Sequence, residues 1–441
     1  MRLSLTRLAA LVVMVSAVAA RAQEPLPYDA YDEPPLDDPA IERTPPPPPV
    51  EEYQPRLERP LPSGDATLTG AVRGGVYSDS DRTTVWRVLA AIARTAGRWT
   101  VSGSASVDIV SSASVDVRSS PALSKVEVIT GASGQSSTTT GGTMSDRRIQ
   151  VTGGFGWRDG SGKGINLSTS FANERDYDSV SGGLNGSVDL FHRMTTLLGG
   201  VAVTNNWIGS VLDSSFARSM YEIGGSLGVA QVLSRSDALR LRYDVSLAEG
   251  YQASPYRNVR FGNWTTSVTD TGRINFGNTI GSADGLPETV PDSRLRHAGT
   301  LEWVHSFVEG LAVHLTARAG IDSWGVQSAT AGISLRAVSN EWRLQLGYRY
   351  YTQSAADFFA TKYTLASSNY QYFTSDKELG RETGHIGSLD IAHVLKAPEA
   401  AGDNRLLLDL QVVGMSYSYP GFALLDSRSS VLVTVGLTWE L

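Results

Sequence analysis

The segment Val431-Leu432-Val433-Thr434-Val435-Gly436-Leu437-Thr438-Trp439-Glu440-Leu441 decides the fold. In an extended chain successive side chains point to opposite sides, so Val431, Val433, Val435, Leu437, Trp439 and Leu441 share one face and Thr434, Gly436, Thr438 and Glu440 share the other. The same period returns upstream. From 341 to 353, Trp342, Leu344, Leu346, Tyr348 and Tyr350 alternate with Arg343, Gln345, Gly347, Arg349 and Tyr351; from 238 to 248, Leu239, Leu241, Tyr243, Val245 and Leu247 alternate with Arg240, Arg242, Asp244 and Ser246. Strands of this kind keep one side dry and the other wet. Beyond Ser63 no apolar run reaches the roughly 18 residues that a membrane helix needs.

Sixteen such strands are expected, near 66–78, 83–94, 98–112, 146–158, 163–173, 180–192, 195–206, 219–233, 238–248, 294–306, 311–322, 326–338, 341–353, 383–394, 404–416 and 429–440. Tight turns near residues 95–97, 159–162, 193–194, 235–236, 309–310 and 339–340 interleave with longer excursions at 113–145, 207–218, 249–293 and 354–382. Short turns on one side and long loops on the other predict an all-β fold, a transmembrane antiparallel up-and-down β-barrel with both ends on the short-turn side. Pro121, Pro255, Pro287, Pro291, Pro398 and Pro420 all fall in connections, where the missing N–H breaks no ladder. Aromatic residues cluster at two levels: Tyr77, Tyr177, Trp207, Tyr221, Tyr251, Trp324, Tyr350, Phe358 and Tyr417 toward the long loops, and Trp99, Trp157, Phe191, Phe307, Trp342 and Trp439 toward the short turns. That distribution predicts two interfacial girdles, which a soluble β-sandwich of short strands would lack.

The N-terminal part differs in composition. Arg2 and Arg7, the apolar stretch 8–20 and the Ala20-Arg21-Ala22 site read as a signal peptide over 1–22 with cleavage at Ala20 and Ala22. An acidic, proline-rich periplasmic linker is expected over 23–65, and the barrel over 66–441; residues 24–62 hold 13 of the 19 prolines and ten acidic residues against three arginines. The formal charge of -7 therefore sits mostly in the linker, and it excludes a general nucleic-acid binder. No cysteine occurs, so disulfides, thiolate metal sites and lipid anchoring through cysteine are excluded. The 44 glycines fit many turns and small-residue strands, and the mean hydropathy of -0.14 is the average of dry and wet faces.

Thr434, Gly436, Trp439 and Leu441 resemble the terminal signal read by the bacterial outer-membrane barrel assembly machinery, with leucine where phenylalanine is commoner. Further segments resemble a family. These are Tyr77 with 79–82, the stretch 107–114 echoed at 115–118, Pro255-Tyr256-Arg257-Asn258-Val259-Arg260-Phe261, Pro291-Asp292-Ser293-Arg294-Leu295-Arg296-His297, and Tyr348-Arg349-Tyr350-Tyr351-Thr352-Gln353-Ser354-Ala355-Ala356-Asp357-Phe358. They resemble a Gram-negative family of outer-membrane β-barrel proteins catalogued only as a domain of unknown function. The resemblance implies a barrel over about residues 66–441 and supplies no activity.

Chemistry has few footholds. None of His192, His297, His305, His314, His385 and His393 lies in an H-E-x-x-H pattern, and no G-x-S-x-G elbow precedes a helix, so no enzyme, cofactor or metal is expected. His314 should face the lumen. Asp79 with Asp81, and Asp176 with Asp178, offer calcium-type oxygen ligands but fall far short of a full shell. The inward faces are more telling. Arg240, Arg242, Arg294, Arg296, Arg318, Arg336, Arg343 and Arg349 form one expected pore-lining wall, opposite a neutral to acidic wall with Ser102, Ser104, Ser106, Asp108, Gln150, Asn166, Ser168, Asn185 and Asp189. Such a lumen predicts a porin-like passive channel for small polar or anionic solutes. The alternative is a non-conducting barrel, its arginines neutralised by Asp244, Glu302, Asp322, Asp409 and Glu440, that presents surface loops or anchors a periplasmic partner through residues 24–62. The expected surroundings are outer-membrane lipids and lipopolysaccharide, the assembly machinery and no nucleic acid.

Overall fold

A computed structural model describes residues 66–119, 144–270, 273–396 and 405–441. The expected signal peptide, with Ala20 and Ala22, and the linker segment lie outside these residues.

The first nine strands are β1 (Thr67–Asp79), β2 (Thr83–Ala96), β3 (Trp99–Ser112), β4 (Met144–Arg158), β5 (Lys163–Asn173), β6 (Tyr177–Leu190), β7 (Thr195–Ile208), β8 (Arg218–Val232) and β9 (Asp237–Gly250). One loop then carries four short strands, β10 (Asn258–Val259), β11 (Thr265–Val268), β12 (Ile274–Gly277) and β13 (Leu286–Pro287). The wall resumes with β14 (Ser293–Val308), β15 (Leu311–Asp322), β16 (Gln327–Val338), β17 (Trp342–Gln353), β18 (Glu382–Lys396), β19 (Arg405–Ser418) and β20 (Ser427–Glu440). The sixteen long strands, β1–β9 and β14–β20, form one closed antiparallel barrel, each paired with its neighbour along the wall. Closure joins β1 to β20, with Thr69 opposite Glu440 and Tyr77 opposite Leu432. A β-carbon on Gly70 would fall on the Trp439 indole, so this glycine lets the last tryptophan lie across the seam.

Period-2 alternation becomes inside and outside. On β9, Arg240 is 7% exposed while Leu241 is 53% exposed, and Leu335, Leu346, Val435 and Leu437 continue the outward apolar band around the wall. A band of that extent is far larger than a soluble surface tolerates, so its natural solvent is lipid. Among the described residues no helix is long and apolar enough to cross a membrane; the crossing elements are strands.

Four features depart from the sequence reading. The strand expected near 180–192 ends at Leu190, because Phe191, His192 and Arg193 take positive φ angles of 49°, 55° and 69° and make the turn themselves. The echo at 115–118 resembles 107–114 in sequence but does not share its strand conformation, forming a short helix, α1 (Val115–Ser119). Pro287 does lie in a strand, tolerated because β10–β13 is a two-residue ribbon with open edges. The girdle on the long-loop side is only partial. Trp207 and Tyr221 face outward, whereas Tyr77, Tyr177, Trp324 and Tyr417 are buried in the barrel mouth, the last three in apolar clusters with loop side chains and Tyr77 with its hydroxyl on Asp79. At the other end Trp99, Phe191, Phe307 and Trp342 are exposed, as a lipid-facing girdle requires.

The long loops fold over that mouth. Val115 of α1 and Ile274 of β12 pack with Ile386, Val413 and Tyr417 of the wall, and Phe261, Tyr363 and Phe373 join the loops 251–292 and 354–381. Thr289 and Phe373 exchange backbone hydrogen bonds at 3.0 and 2.8 Å between the same two loops.

Candidate functional site: the lumen and its loop cap

All eight arginines of the expected wall occupy inward register positions on β9 and β14–β17. Five of them meet carboxylates. Arg240 lies 3.0 Å from Glu302, Arg242 2.7 Å from Asp244, Arg294 2.5 Å from Asp322, Arg296 3.5 Å from Glu222 and Arg318 3.1 Å from Asp244. The wall is thus a lattice of ion pairs, all but Arg242–Asp244 reaching across strands, not a bare sheet of positive charge. Arg336 and Arg343 line a cavity of about 260 Å³ in the short-turn half of the lumen, together with Arg73, Asp390 and Asp409. The Arg349 Nε is buried with no hydrogen-bond partner among the described residues.

The opposite wall carries arginines besides its serines and carboxylates, each set beside an acid. Arg73 on β1 pairs with Asp409 at 3.3 Å, and Arg87 on β2 grips Asp108 through two hydrogen bonds of 2.7 and 2.9 Å. Both arginines stand at alternate positions of a strand, Arg73 before Gly75 and Tyr77, so the same period-2 reading applied to β1 and β2 reveals them. Of the acids expected to neutralise the wall arginines, Asp244, Glu302 and Asp322 do, whereas Asp409 meets Arg73 and Glu440 meets Arg405 at 3.7 Å, neither of them among the eight.

Above them a larger cavity of about 520 Å³ extends under the loops. Arg87 and Gln150 line both cavities and mark where they meet. The roof is tied by charges. Arg257 reaches Asp376 at 2.7 Å and Glu288 at 3.4 Å, and Lys377 reaches Asp116 of α1 at 2.7 Å. Arg260 donates to the Ser119 carbonyl at 2.5 Å and lays its guanidinium 3.7 Å over the Phe276 ring. Burial pulls the Arg260 guanidinium down to about 10 and pushes the Tyr363 hydroxyl up to about 12. Asp81 accepts the Val115 amide at 2.9 Å, yet burial raises its carboxyl to about 6. Burial also opposes ionisation of Asp116, but Lys377 and then Arg257 outweigh it and hold this carboxyl below its ordinary value.

The carboxylates suggested by spacing already have protein partners. Asp79 accepts the Thr83 amide and Asp178 the Asn173 side chain. Asp176 instead joins Asp146 and Glu174, whose ligand atoms lie within 4.8 Å of one another. Tyr256 donates to Asp176, Arg148 sits 3.6 Å from Glu174 and the Arg147 amide donates to Asp146 at 2.7 Å, so protein groups already serve all three. His314 takes an inward register opposite Ser334, while His297 and His385 hydrogen-bond Tyr243 and Tyr348 at 2.6 and 2.7 Å on the outward face. At the seam, Thr434 faces the lumen opposite Gly75, Gly436 faces Arg73 and Asp409, Trp439 covers Gly70, and Leu441 exchanges backbone hydrogen bonds with Leu68 at 2.7 and 2.9 Å.

Comparison with solved structures finds low-identity barrels. The "TodX deltaS2S3 mutant monoaromatic hydrocarbon channel" is 14% identical over 86% of this chain and 90% of that chain, with a TM-score of 0.38. The "Bacterial polysaccharide outer membrane secretin" is 9% identical over 85% and 98%, with a TM-score of 0.42. The outer membrane protein OprD from Pseudomonas aeruginosa is 8% identical over 85% and 94%, with a TM-score of 0.39. No curated protein matches. Residues 220–401 match the family described as "Protein of unknown function (DUF3570)". The motifs at 255–261, 291–297 and 348–358 all fall inside that span, so the match and the sequence resemblance point to the same kind of family, one catalogued without a function.

Proposed function

We propose that the chain is a bacterial outer-membrane barrel, its N-terminal segment in the periplasm, working as a porin-like passive channel for small polar or anionic solutes. The observation that carries this reading is the pairing of an apolar outer band with a lumen whose charged side chains line two cavities sharing Arg87 and Gln150. Such charges are costly toward lipid and hydrated in a water-filled lumen. Preference for anions is carried chiefly by the short-turn cavity, whose lining sets Arg73, Arg87, Arg336 and Arg343 against Asp390, Asp409 and Glu440. In planar bilayers under a KCl gradient the protein should conduct with an anion-leaning reversal potential. Replacing Arg318, Arg336 and Arg343 by Gln should move that potential toward cations. No conductance, or a potential unmoved by the triple change, contradicts the proposal.

The loop cap favours a second reading, a non-conducting barrel that presents its loops or holds a partner through residues 24–62. Silent bilayers, together with capture of an envelope protein on the 24–62 peptide, would support it.

A further inference from the structure

The upper cavity holds three side chains that conduction alone does not require. Thr204 on β7 and Glu222 on β8 are direct register partners, and Asn206 lies two positions along the same inward face. All three line the cavity, with exposures of 5%, 0% and 0%. Glu222 meets Arg296 through one oxygen at 3.5 Å, and Asn206 accepts the Tyr177 hydroxyl. What is left is Glu222 Oε2, Asn206 Nδ2 and Thr204 Oγ1, each buried with no hydrogen-bond partner among the described residues.

These atoms are an acceptor, a donor and a group able to do both, side by side on one stretch of wall. Buried polar atoms without partners are rare because each loses its water, so three together beside a cavity mark a surface shaped for a polar guest. A carboxylate acceptor disfavours an anion there. Alternating donors and acceptors instead match neighbouring hydroxyl groups, each of which both donates and accepts. Met220, Ala248 and the Trp324 indole line the same cavity, supplying apolar surface for the C–H face of such a molecule. The volume of about 520 Å³ is in the range of small-molecule sites. We propose that Thr204, Asn206 and Glu222 form a binding site for a neutral polyhydroxylated solute, a sugar or alditol. The site rests on the channel reading only in that solutes enter the lumen.

The test is titration of the folded full-length barrel in detergent with sorbitol, glucose, sucrose and gluconate, read by calorimetry and tryptophan fluorescence. Sorbitol and gluconate differ mainly by a carboxylate, so their comparison on the unaltered protein tests the charge argument without any variant. Saturable binding of at least one neutral polyol is expected, with gluconate much weaker. Asn206→Leu and Glu222→Gln should each weaken it about tenfold or more, and Thr204→Val, a near-isosteric change, by a smaller factor. The inference is overturned if none of the neutral polyols binds, if gluconate equals sorbitol, or if folded Glu222→Gln and Thr204→Val bind as the parent does, which would leave water as the only guest. Titration does not require conduction. Silent bilayers with polyol binding count against the pore alone, and a conducting barrel without polyol binding counts against this site alone.

Discussion

Arg257→Gln should unlatch the loop cap. The Arg257 side chain is 12% exposed and bridges Asp376 and Glu288, whose side chains are 3% and 2% exposed. Removing the cation leaves two buried carboxylates near one another, and breaking a buried pair on one side costs about 3–5 kcal/mol. The lower end applies here, because Glu288 keeps the Thr374 hydroxyl at 2.6 Å and the Ser254 amide at 2.5 Å. About 3 kcal/mol corresponds to a roughly 100-fold rise in the open population of the cap. The Thr289 and Phe373 amides, bonded across the two loops, are the reporters. Their hydrogen-exchange protection should fall by about that factor in Arg257→Gln while amides of β15 and β16 stay protected. Neutralising the acids as well, with Asp376→Asn and Glu288→Gln, should restore most of the protection. Unchanged protection at Thr289 and Phe373 in a folded Arg257→Gln barrel would refute the reasoning that this cluster holds the loops together.

Two further outcomes follow from the same structure. Asp81 has its carboxyl raised from 3.8 to about 6, chiefly by burial, so the stability it gives the folded loop is fully present below pH 3.8 and is lost as pH rises through about 6, at most about 3 kcal/mol; protection factors at the Val115 amide should drop between pH 4.5 and 8, and Asp81→Asn should remove most of that drop. Gly70→Val places a branched side chain on the Trp439 indole at the β1–β20 seam; it should leave less heat-modifiable, assembled barrel than Gly74→Val, where a β-carbon meets nothing within 4 Å.

The wall was legible because its physics is local. Arg240 and Leu241 differ in surroundings solely through the pleat, and that alternation is written residue by residue. Ion pairs such as Arg318 and Asp244, two strands apart in the wall, required only the strand order to foresee. The cap was not legible. Arg257 and Asp376 are 119 positions apart, and nothing in the composition of either loop says that they meet. Loop aromatics misled for the same reason: Trp324 stands where an outer girdle residue would, but its ring turns inward onto the Arg294 guanidinium at 4.3 Å and Phe358 at 5.2 Å. The Thr204, Asn206 and Glu222 trio was hidden by its ordinariness, since a polar inward residue is the rule in a barrel and only the clustering of three buried atoms without hydrogen-bond partners on neighbouring strands sets them apart.

The most direct test of a membrane-spanning barrel with a wet lumen uses the absence of native cysteine, which gives single-cysteine variants a clean background. Cysteine is placed in turn at Gln345, Leu346, Gly347 and Tyr348 on β17 and at Ser334 and Leu335 on β16, and the protein in lipid vesicles is exposed to a small water-soluble maleimide. Labelling should alternate, with Gln345, Gly347 and Ser334 reacting from the lumen and Leu346, Tyr348 and Leu335 shielded by lipid. Equal labelling of both sets, or labelling of the apolar set alone, would contradict the account.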